Sequence, residues 1–122
     1  MSAADTIARL EAAVARNPGS ADAWRALGDA WTARRDTARA DAAYAQSIRA
    51  STRDPELLRA ADALVAGELA VAETLLRARL KRAPTDVAAI RMLAELASRL
   101  GRYGDAEKLL ARALELAPGF RP

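Results

Sequence analysis

A chain of 122 residues, with 52% hydrophobic but only 4% aromatic side chains, holds material for one domain built mainly from small and aliphatic groups. It contains neither cysteine nor histidine, and its net charge of +3 is scattered along the chain. Disulfides, thiolate metal sites, thiol nucleophiles and Ser-His-Asp chemistry are thereby excluded, along with the commonest general base and transition-metal ligand.

The opening residues Met1 to Asp5 lead into a charged amphipathic stretch with no apolar core of signal-peptide length, and no later stretch approaches a membrane span. The cytoplasm is the expected compartment. Apolar residues recur at i, i+3, i+4 and i+7 throughout, which predicts helices and no strands. The first is expected over 3–16, with Ile7, Leu10, Ala13 and Val14 on its apolar side and Pro18 beyond its end. Ser20 precedes a second over 21–34 and Asp36 a third over 37–50. Asp54 and Pro55 supply the cap and first position of a fourth over 55–65. Gly67 separates it from a fifth over 68–82, after which Pro84 stops the chain. Thr85 precedes a sixth over 86–99, and Gly101 and Pro118 bracket a seventh over 104–116.

The helices fall into repeats. The interval from Trp24 to Leu57 equals that from Leu57 to Ile90. From Ala40 to Ala72 the interval is one position shorter than this, and from Ala72 to Ala106 one longer, which predicts a middle turn one residue short. The segment from Ala23 to Trp31, with its Trp24, Leu27, Gly28 and Trp31, then Ala40 and Tyr44, resembles the tetratricopeptide-repeat family. The third segment carries Ile90, Leu93, Ala94, Ala97, Ala106, Leu110, Ala113 and Pro118 at corresponding places. The resemblance implies an all-α, right-handed solenoid of antiparallel helix pairs. A single domain over 1–122 is expected, with a leading half repeat (3–18) and full repeats over 21–53, 54–86 and 87–120.

Alanines 40, 72 and 106, with Gly28, Ala61 and Ala94, are expected where helices cross closely, and Trp24, Trp31, Tyr44, Leu93, Leu110 and Leu114 in the spaces between. The last helix carries Leu109, Leu110, Leu114 and Leu116 and stops where another repeat would begin, which predicts an under-capped end that either continues in a longer protein or packs on another chain by self-association.

In tetratricopeptide arrays the first helices of the pairs line a concave groove, so the resemblance implies a protein or peptide partner there. Asp29, Asp62 and Glu95 recur at the same interval as Trp24, Leu57 and Ile90. Each follows an arginine by three or four positions, Arg25, Arg59 or Arg91, and Arg99 adds a further positive charge. These residues form intrahelical ion pairs worth about 0.2–0.5 kcal/mol, or a ladder that recognises a partner with Leu58, Val65 and Met92 as apolar anchors, or both, since a pair idle alone can open to a ligand. The lysine and asparagine groove by which some members of the family hold chaperone carboxylates is absent, and the acids here would repel a carboxylate.

No catalytic residue, cofactor or metal is expected. The carboxylates sit on exposed helix faces and caps, and no phosphate-loop motif occurs. The runs Ile48–Pro55 and Thr85–Glu95 and the ending Leu116–Phe120 resemble the N-terminal repeats of bacterial proteins that carry a sulfotransferase domain, which implies a recognition arm of a larger enzyme. Nucleic-acid binding has only the basic pI behind it: Arg34, Arg35 and Arg39, and Arg77, Arg79, Lys81 and Arg82, read as solvated helix faces.

Overall fold

The structure is a computed structural model that describes residues 2–119; Phe120, the last residue of the third expected repeat, lies outside them. Among the described residues the chain forms seven helices: α1 (Ala3–Arg16), α2 (Ala21–Ala33), α3 (Thr37–Ser51), α4 (Pro55–Val65), α5 (Leu69–Arg82), α6 (Val87–Arg99) and α7 (Tyr103–Leu116).

Each first helix of a pair starts on a side chain that satisfies an orphan backbone N–H. The Ser20 hydroxyl accepts from the Ala23 N–H at 3.1 Å, Asp54 from Glu56 at 2.9 Å and Asp86 from Ala89 at 3.1 Å. The cap of α6 is therefore Asp86 and not Thr85. The three turns inside the pairs are built alike, each closed by a backbone bond between residues five positions apart: Asp36 to Trp31, Glu68 to Ala63 and Arg102 to Ala97. They are also equally long, so the expected short middle turn is corrected. The missing length lies in α4, which has 11 residues where α2 and α6 have 13. Gly67 and Gly101 hold φ 77° in these turns, and Arg35 carries φ 61° in the first of them.

The core forms three apolar groups. Ile7 and Val14 of α1 meet Leu27 of α2 and Ala43 of α3, with Trp24 and Trp31 packed partly buried against them. Leu57, Ala60 and Leu64 of α4 meet Ala72 and Leu76 of α5 and Ala89, Leu93 and Leu96 of α6. Both follow the order of a stacked array. Gly28 fits its expected role, because a Cβ there would lie 2.5 Å from the Tyr44 ring.

The third group departs from that order. Ala40 and Tyr44 of α3 are buried against Val87 and Ile90 of α6 and Ala113 and Leu116 of α7. Helix α3 thus packs on α6 and α7, while α4 packs on α5 and α6, so that α6 touches four other helices. At the far end of this contact the Gly119 N–H donates to the Asp41 carboxylate at 3.2 Å. Part of the α7 surface expected to be open is covered by the chain's own α3. Leu110 and Leu114, expected as space fillers, stay 38% and 41% exposed beside it.

Candidate functional site

Because α3 leaves the stack, a groove opens between it and the α4–α6 face. One cavity, of about 480 Å³, is lined by Ile48 of α3, by Ala88, Arg91, Met92, Ala94, Glu95 and Ser98 of α6, and by Leu110 of α7. A second, of about 130 Å³, is walled by Ile48, Ser51 and Thr52 on one side and Leu57, Leu58 and Ala61 of α4 on the other, with Ala88 and Met92 of α6. The two share Ile48, Ala88 and Met92, so Ile48 sits between them. The smaller is almost wholly apolar, and the larger carries an arginine and a glutamate one helical turn apart on its wall.

Of the ten residues expected in the groove, Leu58, Arg91, Met92 and Glu95 line these cavities. The others do different work. Arg25 bonds Asp22 at 2.8 Å, and Asp29 accepts a 2.7 Å bond from the Tyr44 hydroxyl. Arg99 donates to the Leu64 carbonyl at 2.6 Å, satisfying the end of α4, and to Glu95 at 3.0 Å. Arg59 and Asp62 are exposed on α4, and Val65 stands 86% exposed at its last turn. The first-helix charges do not form one continuous ladder, because α2 packs on α1 and α3 while α4 and α6 pack on each other.

Tyr44 fixes α3 on α2. Its phenol reaches Asp29 and lies 3.2 Å from the Thr32 hydroxyl. Burial pushes its pKa up to about 12, and the Asp29 carboxylate adds to the rise against the opposing Thr32 bond.

The residue that composition and spacing did not single out is Arg79. It stands in α5 at the place that Ser47 holds in α3 and Ala113 in α7, at the same two intervals that separate the crossing alanines Ala40, Ala72 and Ala106. The expectation that it belongs to a solvated basic face is overturned: its side chain is 4% exposed. It bonds Asp86 at 2.8 Å and Asp54 at 2.9 Å, with Glu56 at 3.6 Å. One guanidinium thereby ties together the capping residues of α4 and α6. Burial works against its charge, but Asp86 and Asp54 raise its pKa above the ordinary arginine value. Burial likewise pushes the Asp54 carboxyl up, and the Arg79 bond and the Glu56 backbone N–H outweigh that and lower it. The remaining Arg79 nitrogen, Nη2, is buried without a hydrogen bond, 4.0 Å from an Asp22 carboxylate that is engaged by Arg25. The neighbouring Arg77 and Arg82 pair with Glu73 and Glu56.

A further cleft of about 530 Å³ lies between α1, α2 and α3, lined by Glu11, Trp24, Trp31, Arg39 and Gln46 among others. The Arg39 guanidinium covers the Trp31 ring at 4.8 Å, and the Trp24 indole N–H donates to the Pro18 carbonyl at 2.8 Å. Both indoles are thus engaged within the fold, in keeping with a packing role. No helix among the described residues is long and apolar enough to cross a membrane.

Comparison with known families agrees with this architecture. Two family models, each described as a tetratricopeptide repeat, match residues 3–55 and 63–122. They leave a gap inside α4, beside the point where α3 leaves the stack. No curated protein matches the chain. The repeat spacing, the seven capped helices and these two matches together place the chain in the tetratricopeptide-repeat family, whose arrays are generally protein-interaction modules.

Proposed function

We propose that this chain binds a protein or peptide segment on the α4–α6 face beside α3. The observation that carries this reading is the pair of joined cavities around Ile48, apolar at Leu57, Leu58, Ala61 and Met92 and charged at Arg91 and Glu95. Apolar pockets with a few polar groups at their edge are the usual form of a binding site, the pockets giving affinity and the charges orientation.

The test is a displayed peptide library selected on the full chain. Selected peptides should lose at least tenfold in affinity, about 1.4 kcal/mol or more, with Met92→Glu, and keep full affinity with Arg9→Glu on exposed α1. Peptides indifferent to Met92→Glu and to Leu58→Glu would place recognition elsewhere.

A further inference from the structure

We infer that the groove is built to receive an amphipathic helix, and that α3 is its resident occupant, docked there until a partner helix of the same apolar register displaces it. This rests on the groove reading above and names the class of partner.

Three observations carry the inference. First, α3 already lies against the α6–α7 face as a ligand helix would. Its Ala40, Tyr44 and Ile48 stand at i, i+4 and i+8, and they meet Val87, Ile90, Ala113 and Leu116 on one side, with Met92 beside Ile48. That spacing is how a helix presents anchors to a groove. Second, the fit is incomplete. Cavities of about 480 and 130 Å³ remain on either side of Ile48. A helix with longer apolar side chains at that place fills space that α3 leaves empty, which gives a competitor its advantage. Third, two polar contacts at the ends of the seam are long. Asp41 accepts from Gly119 N–H at 3.2 Å, and Arg79 Nη2 stands 4.0 Å from Asp22 without closing the bond. Arg79 instead makes its short bonds inside the α4–α6 unit.

Displacement need not unfold α3. Its packing on α2, with the Tyr44 bond to Asp29 and the Ser47 bond to the Ala21 carbonyl at 2.8 Å, keeps α1–α3 one unit. That unit swings on Thr52 and Arg53, the two exposed residues that join α3 to the cap of α4. The affinity of a partner is reduced by the fraction of molecules in which α3 is docked, so loosening α3 should tighten binding.

The probe is a fluorescent synthetic peptide of residues 37–52 added to the full chain. Ile48→Glu in the chain should weaken the docking of its own α3 and raise the affinity for the peptide at least tenfold over the unaltered chain. A peptide that itself carries Ile48→Glu should not bind either form. In the opposite direction, Asp41→Cys with Gly119→Cys provides a lock outside the groove. A Cβ at Gly119 would lie 3.5 Å from the Asp41 Cγ, and the chain has no cysteine of its own. The oxidised lock should abolish peptide binding and reduction should restore it. Circular dichroism confirms that each variant keeps its helices.

The inference is overturned if Ile48→Glu binds the peptide no more tightly than the unaltered chain, or if the oxidised lock binds it as well as the reduced form. If instead library peptides bind through Met92 while the α3 peptide fails in every form, the groove stands and the helical occupant falls.

Discussion

Two seams run into α6, and they are held by different physics. On the α4–α5 side an arginine that is nine-tenths buried joins the caps of two helices, above an apolar layer that includes Leu57, Leu76 and Leu93. On the α3 side the contact consists of small and aliphatic groups around Tyr44 and Ile48, flanked by unfilled space. A buried ion pair is not a strong net stabiliser against a well-packed apolar replacement, but it is very sensitive to loss of one member. An apolar contact with cavities tolerates sliding and exchange. On the inference drawn above, the first seam holds α4–α7 together and the second lets α1–α3 part from it.

The sharpest way to break this contrast is Arg79→Ala. It strands Asp86, which is as buried as Arg79 itself, and should lower stability by about 3–5 kcal/mol in urea unfolding. A loss no larger than that of an exposed arginine would mean that the caps of α4 and α6 are not joined through it. Next in size is the response of the Tyr44 contact to alkali. A phenol whose folded pKa lies above its unfolded value of about 10 contributes stability that is complete below pH 10 and lost as pH rises toward 12. Two units correspond to about 2–3 kcal/mol. Stability measured across that range should fall for the unaltered chain and fall less for Tyr44→Phe. The smallest effect concerns the turn before α3. Arg35 holds φ 61° where its two counterparts are glycine, so Arg35→Gly should raise stability by about 0.5–1 kcal/mol. A decrease would show that the Arg35 side chain contributes more than its backbone strain costs.

Most of the fold was legible in the sequence because its signals are local. Capping residues, turn glycines and the prolines after helices each act within a few residues, and the observed helices begin and end within one residue of expectation. The stacking of α3 was not legible. Periodicity tells which face of a helix is apolar, and says nothing about which helix covers it. Ala40 and Tyr44 would be read identically whether they faced α4 or α6.

The groove was half legible for a related reason. The repeat interval correctly aligns Asp29, Asp62 and Glu95, but by the same interval Arg25 and Arg91 align with Leu58 and not with Arg59. The middle rung is apolar, and it is Leu58 that lines the groove. Arg79 did leave a signal, since it interrupts a column otherwise held by Ser47 and Ala113. Reading it required knowing that Asp54 and Asp86 meet at the end of α5, which is a fact of tertiary structure.

The position of α3 is the claim on which the rest depends, and proton–proton contacts in solution measure it directly. Nuclear Overhauser spectra of the full chain should connect the Tyr44 ring and the Ile48 methyls with those of Ile90, Met92 and Ala113. Contacts from Tyr44 to Leu57, with none to Ile90 or Ala113, would describe a regularly stacked array in which α3 covers α4, and would contradict this account.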